Sequence, residues 1–169
     1  MERPMEPLDP LGSPDVLCAE NQIFRMALHL LKLCVGAQTI GELEDFVAER
    51  VAAQRRAGQP AISWHITRMV PRRVDELVDG GSLYWVIKGR IAARQSLLAV
   101  KPFVDKDGVG RCRLELAPQV IAVAPRPYRA FQGWRYLADH ERPRDLAQND
   151  HGAEMPETLR QTLCELGLL

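Results

Sequence analysis

Three arginines lie on either side of Pro71, at Arg68, Arg72 and Arg73. Proline suits the first turn of a helix, so the sequence predicts a short helix over 72–78. Guanidinium groups bind phosphate oxygens in pairs, and a helix N-terminus adds free N–H groups and partial positive charge. The pattern therefore predicts a phosphate-binding site. The competing interpretation is that these arginines pair with the acidic residues that follow them on the same helix.

Two tryptophans could add stacking surfaces for a base to this cationic group. Stacking on an aromatic ring contributes about 1–3 kcal/mol per base, and Gly133 beside Trp134 permits close approach. Trp85 alternates with Tyr84 along a strand, so only one of that pair would face a given pocket. Core packing is the competing interpretation for both tryptophans. The predicted ligand-binding residues are Arg68, Arg72, Arg73, Trp85, Lys88, Arg94, Gln95, Trp134 and Arg135.

Charge is unevenly distributed along this neutral chain of 22 basic and 22 acidic residues. Between Pro60 and Leu137 there are 13 Lys+Arg against 6 Asp+Glu, a net charge of +7. The segments before and after this region are acidic, with 6 basic against 9 acidic residues and 3 against 7. A basic centre of this kind predicts an anionic partner, either RNA or a nucleotide-like anion.

Motifs for metals, cofactors and nucleophilic catalysis are missing from the sequence. The four histidines are scattered, the four cysteines form no CxxC pair, and neither GxxxxGK[ST], GxGxxG nor GxSxG occurs. We therefore predict no metal, no cofactor and no catalytic residue, with cysteines that stay reduced. His29 lies in an apolar run and is interpreted as a hydrogen-bonded core histidine.

The location of the protein is predicted from its N-terminus and its apolar runs. Residues 1–7 are acidic and proline-rich, whereas a signal peptide would be basic and then apolar. No run approaches the roughly 18 apolar residues that span a bilayer. The sequence thus predicts a cytoplasmic protein that does not enter a membrane, and it leaves the oligomeric state open.

The elements that must position these residues follow from periodicity and from turn residues. Thr39 and Glu42 have the spacing of a capping box, and Gly58 supplies the end of the helix that they begin. Pro125 and Pro127 are predicted to end a strand over 120–123. The other predicted strands cover 27–35, 61–69, 83–87, 91–100 and 111–116, and a final short helix covers 156–166.

Clustered strands with a few helices indicate an α+β domain rather than a doubly wound parallel sheet. The expected architecture is a small curved sheet or a pseudobarrel with two or three packed helices. The predicted organisation is a loosely docked or disordered tail over 1–22, a single α+β domain over 23–146, and an acidic linker with a C-terminal helix over 147–169.

Several consecutive motifs resemble a bacterial family known only as a domain of unknown function. The resemblance covers roughly 27 to 146 and implies no activity, because the family has none established. Its motifs are HLxKLCVG at 29–36, TRxxPxR at 67–73, GGSLYWVIKG at 80–89, RQ at 94–95 and FQGWRYL at 131–137.

The order of elements is also similar to PUA-like domains, which include the ASCH and EVE domains. This similarity implies a pseudobarrel that binds RNA or modified bases. Some ASCH-like proteins hydrolyse modified nucleosides with a lysine, a threonine and a carboxylate, so Thr67, Lys88 and Glu76 form an alternative catalytic hypothesis. Lys88 would need a lowered pKa to act as a base. A further alternative is a protein-interaction module that uses the acidic C-terminal segment.

Overall fold

The computed structural model describes residues 27–146, 159, 162 and 163. The predicted N-terminal tail and most of the predicted C-terminal helix lie outside these residues, although Leu159, Thr162 and Leu163 are helical. Among the described residues, no helix combines the length and the apolar composition that crossing a bilayer requires. The elements are β1 (Leu28–Leu33), α1 (Ile40–Arg56), β2 (Ser63–Thr67), α2 (Val74–Val78), β3 (Ser82–Ile87), β4 (Arg90–Val104), β5 (Gly110–Leu116), β6 (Ile121–Pro127), β7 (Trp134–Ala138) and a 3-10 helix (Asp139–Glu141).

The seven strands form one open, mixed sheet in the order β2-β5-β4-β3-β1-β7, with β6 paired to β4. The pairing of β1 with β3 is parallel, and the other pairings are antiparallel. The prediction of an α+β domain is confirmed, in the form of an open sheet with two helices rather than a closed barrel.

Strand β4 connects two parts of the sheet because it is long enough to have different partners along its length. Its first part pairs with β3 and β6, and its second part pairs with β5. The register shifts between Leu97 and Ala99, where the strand passes from one part to the other. An irregularity of this kind bends a strand and increases its twist. Strands β2, β5 and the second part of β4 therefore form a small sheet continuous with the larger one.

Helix α1 begins and ends where its capping residues predict. The Thr39 Oγ1 accepts a hydrogen bond from the Glu42 N–H at 3.1 Å. The Glu42 carboxylate accepts from the Gln38 N–H at 2.8 Å, one residue earlier than an ideal capping box. Gly58 follows the helix with a φ of 66°, which glycine adopts without strain.

The core has two clusters, one on each face of the main sheet, because alternate residues of a strand point to opposite faces. The first cluster combines strand residues such as Leu30 and Leu83 with residues of both helices, including Val47 and Leu77. The second combines the intervening strand residues, including Leu31, Tyr84 and Val123. The helices thus cover the face that carries Leu30.

Two strands depart from what hydrophobic pattern alone suggests. In β2 the buried residues include Ser63 and Thr67, whereas Ile66 is 41% exposed, so the apolar side of this strand faces outward. In β6 the strand continues through Pro125 and Pro127, so the prediction that these prolines end it was wrong. Strand β6 pairs with β4 along one edge, and on its other edge the hydrogen bonds to residues 144–146 involve Ala122 and Ala124, which precede the prolines. A proline is tolerated where its nitrogen is not needed as a ladder donor.

Candidate anion-binding site

The arginine-bearing segment 68–73 connects β2 to α2 and is held on β7 by two aromatic side chains. The Trp134 Nε1–H donates a hydrogen bond to the Met69 carbonyl oxygen at 3.0 Å. The Tyr136 hydroxyl accepts from the N–H groups of Arg72 and Arg73, at 3.0 and 3.3 Å. The rings of Trp134 and Tyr136 contact each other edge to face, with centroids 4.9 Å apart. The backbone of the segment is therefore fixed, and its N–H groups at Arg72 and Arg73 are already occupied.

The three arginine side chains of this segment are exposed and differ in their partners. Arg73 pairs with Glu76, with Nε 2.6 Å from Oε1, and its guanidinium lies 5.9 Å from the centre of the Tyr136 ring. Within the described part of the chain, no carboxylate pairs with Arg68 or Arg72. The competing interpretation from sequence thus holds for Arg73, and it leaves Arg68 and Arg72 without a carboxylate partner among the described residues.

Lys32 of β1, which is not among the residues predicted from the sequence, is connected to this segment through its register partner Trp134, whose indole binds the Met69 carbonyl oxygen. It is in register with Trp85 of β3 and Trp134 of β7, so its side chain shares a face with both indoles. Its half-buried Nζ lies 3.4 Å from the Gly133 carbonyl oxygen, a weak hydrogen bond. No carboxylate among residues 27–146 is within ion-pair distance of it. Burial lowers the pKa of Lys32, because the charged amine has lost part of its hydration.

His65 of β2 faces the same interior. Its ring lies edge to face against Trp85, with centroids 5.6 Å apart. Burial, which has the largest effect, and the positive charges of Lys32 and Arg50 together lower the pKa of His65 to about 4. The imidazole is therefore neutral near pH 7, and its environment is electropositive.

Trp85, Gln95 and Trp134 belong to the core. Trp85 is 5% exposed, and its Nε1–H donates to the Gln95 Oε1 at 3.0 Å. Gln95 is fully buried, and its amide donates to the Ala117 carbonyl oxygen at 2.8 Å. Trp134 is 6% exposed, so neither indole offers a ring face on which a base could stack. Core packing, the competing interpretation for the tryptophans, fits this burial.

Arg94 lies on the opposite face of the sheet from the first core cluster, next to Tyr84. Its guanidinium binds both carboxylate oxygens of Asp145, at 2.6 and 2.5 Å, and donates to the Ser82 hydroxyl at 3.2 Å. This bidentate pair lowers the pKa of Asp145. Arg94 is therefore neutralised within the chain and does not join the arginines of segment 68–73.

His29 belongs to the same polar cluster as Arg94. The Ser82 N–H donates to the His29 Nδ1 at 3.1 Å, so the ring proton of the neutral form lies on Nε2. Nε2 is 3.1 Å from the Asp139 Oδ1. Burial lowers the pKa of His29, although Asp139 opposes this effect. The interpretation of His29 as a hydrogen-bonded core histidine is confirmed.

The remaining predicted residues lie away from segment 68–73. Lys88 is exposed in the turn between β3 and β4, with a φ of 46°. Arg135 has its guanidinium 5.6 Å from the centre of the Phe131 ring and donates to the Trp134 carbonyl oxygen at 3.2 Å. Because β7 alternates, Arg135 points to the opposite face from Trp134.

The residues of the hydrolase hypothesis are not brought together. Thr67 is buried, and its hydroxyl accepts from the Met69 N–H at 3.4 Å. Glu76 lies on α2, the helix that precedes β3, and its carboxylate binds Arg73. Lys88 follows the other end of β3. A strand of this length extends for about 20 Å at ~3.3 Å per residue, and it lies between Lys88 and the helix that carries Glu76. The arrangement gives no support to a shared catalytic site.

A sequence signal for Lys32 did exist. Lysine occupies the position after Leu28 and Leu30 on the inward-facing side of an apolar strand, where a third apolar residue is expected. A charged residue at such a position is costly unless a partner compensates for its burial. For His65 and Tyr136 the sequence gives no comparable signal. The order of the strands in the sheet brings His65 near Lys32 and Tyr136 near segment 68–73.

Comparison with known proteins gives a family and no function. No curated protein and no solved structure matches the chain. The likeness to PUA-like domains is therefore still a prediction. The family model described as "Protein of unknown function (DUF1489)" matches residues 30–169, from β1 to the last residue. The chain therefore belongs to the DUF1489 family, in agreement with the resemblance seen in its motifs.

Proposed function

We propose that this protein binds a phosphate-bearing ligand, RNA or a nucleotide-like anion, at a site made of Lys32, Arg68 and Arg72. The observation that carries the proposal is the half-buried ammonium of Lys32, for which residues 27–146 provide no carboxylate. A bound phosphate would supply the missing counter-charge.

The physical argument concerns the cost of burial. Removing an ammonium group from water is unfavourable unless an anion or several hydrogen bonds replace its hydration. The long contact with the Gly133 oxygen is a poor replacement. Arg68 and Arg72, which are exposed on segment 68–73, add two guanidinium groups, each able to bind two phosphate oxygens. The order-of-elements similarity to PUA-like domains points to the same class of ligand.

Binding is tested by fluorescence anisotropy with a labelled single-stranded RNA, and by calorimetric titration with ATP, both at low salt. The Arg68→Ala/Arg72→Ala variant is expected to bind at least about tenfold more weakly, since each charge-assisted hydrogen bond contributes about 1.5–3 kcal/mol. Lys32→Gln should weaken binding to a similar degree. ATP binding would identify a nucleotide site, whereas binding of RNA alone would identify a polymer site.

The matched control is Arg55→Ala/Arg56→Ala, which removes two adjacent exposed arginines from the end of α1. It changes net charge by the same amount and should leave affinity within about twofold of wild type. Circular dichroism of each variant separates lost binding from lost folding. Wild-type affinity in the Arg68→Ala/Arg72→Ala variant, or no binding of either ligand by the wild type, would overturn the proposal.

A further inference from the structure

The outward face of the small sheet is a second surface on which aromatic and cationic side chains alternate. We call it the Trp64 face, and it consists of Trp64, Ile66, Lys101, Phe103, Arg111, Arg113 and one acidic residue, Glu115, which is in register with Trp64. Ile66 and Arg113 are exposed, and Trp64 and Phe103 are half-buried. Trp64 is thus the most accessible of the three tryptophans, since Trp85 and Trp134 are buried.

Strand register brings these side chains into rows. Arg113 of β5 is in register with Ile66 of β2 on one side and with Lys101 of β4 on the other. The Arg113 guanidinium lies 5.6 Å from the centre of the Trp64 ring and 5.9 Å from that of Phe103. One guanidinium therefore lies within cation–π distance of two aromatic rings from the two neighbouring strands.

A second arginine reaches Trp64 from α1. The Arg50 Nη1 donates to the Trp64 carbonyl oxygen at 2.6 Å, and its guanidinium lies 5.0 Å from the centre of the Trp64 ring. Arg50 is thus fixed at the edge of the face by both the backbone and the ring of the same residue.

The face has an excess of positive charge. Glu115 pairs with Lys101 at 2.8 Å, and Asp105 pairs with Arg111. These pairs leave Arg50 and Arg113 without a carboxylate partner in the part of the chain that the structure describes. A negatively charged partner would complement both guanidinium groups.

The Trp64 face adjoins the proposed phosphate site through the end of β2. Trp64 and Ile66 point outward from this strand, and Arg68 is the next residue but one after Ile66, directly following the strand. Arg68 therefore connects the aromatic surface to segment 68–73 without an intervening element.

We propose that the Trp64 face binds single-stranded nucleic acid, an inference that rests on the proposed phosphate-binding function. Bases stack against Trp64, Phe103 and the guanidinium plane of Arg113, and the backbone continues to Arg68 and Arg72. Partly accessible aromatic rings next to arginine side chains on a sheet are a usual surface for unpaired bases. Paired bases present only their edges, so a duplex cannot use these surfaces.

The experiment measures the affinity of oligouridylates and oligothymidylates of increasing length, and of a duplex of the longest length, by anisotropy and by quenching of tryptophan fluorescence. Affinity should rise with length, and single strands should bind at least about tenfold more tightly than the duplex. Quenching should disappear in Trp64→Phe, because the other two tryptophans are buried. Comparison of the two oligomer series distinguishes RNA from DNA.

Trp64→Ala and Arg113→Gln should each weaken binding of the long single strand about tenfold, while Trp64→Phe keeps more affinity than Trp64→Ala. The controls are Phe46→Ala and Arg129→Gln, which change an exposed aromatic residue and an exposed arginine elsewhere. Thermal melts confirm that each variant is folded.

Two results would overturn the inference. The first is wild-type affinity in both Trp64→Ala and Arg113→Gln, and the second is equal binding of duplex and single strand. If Arg68→Ala/Arg72→Ala still weakens binding in either case, the proposed phosphate site stands and only the Trp64 face is excluded. If the wild type binds no nucleic acid and no nucleotide, both proposals fall.

Discussion

Lys32 and His65 influence each other because both are partly buried on the same side of the sheet. Burial, together with the charges of Lys32 and Arg50, lowers the pKa of the imidazole and keeps it neutral near pH 7. Burial in turn lowers the pKa of the lysine. Two basic groups without a described carboxylate form an electropositive interior next to Trp85, in which an anion would be stabilised.

His65 gives stability a predictable dependence on pH. Its pKa is lowered from 6.5 to about 4 in the folded protein, so the unfolded chain binds more protons within that window. The free energy of unfolding therefore rises with pH through the window, and it should fall by up to about 2 kcal/mol between about pH 7.5 and pH 5.

Denaturant titration of wild type and His65→Gln at these two pH values checks this expectation. The variant should lose less stability at the lower pH, and a residual loss is expected because the pKa of His29 is also lowered. An identical pH dependence in the two proteins would contradict the assignment to His65.

Residue-level prediction succeeded where local sequence determines the outcome. The Thr39 cap and the core role of His29 depend on neighbours along the chain or on an apolar run. The burial of Trp85 and Trp134 depends on which elements cover each face of the sheet, which spacing does not reveal. For the same reason Arg94 could not be assigned to Asp145, a partner 51 residues away.

At the scale of elements, the passage from α2 to β3 is the most constrained turn. Gly80 has a φ of 79°, in agreement with the predicted end of the helix. A Cβ on Gly81 would lie 2.1 Å from the Leu77 oxygen and 2.4 Å from the Leu28 oxygen. Both are backbone atoms, so a side chain at this position would displace either α2 or β1.

Gly81→Ala is therefore expected to destabilise the protein by about 3 kcal/mol or more. Gly110→Ala, at the beginning of β5, is the control, because a Cβ there meets nothing within 4 Å. The control should change stability by about 0.5 kcal/mol or less. Melting curves of both variants measure the difference in stability, and equal stability of the two would contradict the predicted clash.

Elements were predictable where their pattern was regular. Strands β1, β3 and β5 and helix α1 follow from apolar periodicity and caps. Strand β7 was not separately predicted, because Trp134, Arg135 and Tyr136 mix aromatic and charged residues without clear alternation. The extension of β6 through its prolines depends on strand order, which decides whether an edge needs a donor.

At the scale of the whole molecule, positive charge is concentrated in the middle of a chain whose net charge is zero. The basic region 60–137 runs from β2 into β7. Both segment 68–73 and the Trp64 face have arginines without a described carboxylate partner. Because net charge is zero, general attraction to polyanions is weak, and salt dependence should report specific contacts.

The dependence of RNA affinity on salt tests this localisation. The slope of log K against log salt is about −0.7 per phosphate contact for single strands, so Arg68→Ala/Arg72→Ala should reduce its magnitude by about 1.4. Arg55→Ala/Arg56→Ala should leave the slope unchanged. A similar loss of slope in both variants would indicate diffuse attraction instead of a site.

The pairing of β1 with β7 has a consequence for synthesis of the chain. Contacts such as the one between His29 and Asp139 join residues 110 positions apart. While the chain is being made on a ribosome, the edge of β1 that later pairs with β7 stays uncovered until β7 emerges. Pairing along this edge must therefore wait until β7 has left the ribosome, and until then the apolar strand β1 is open to premature association.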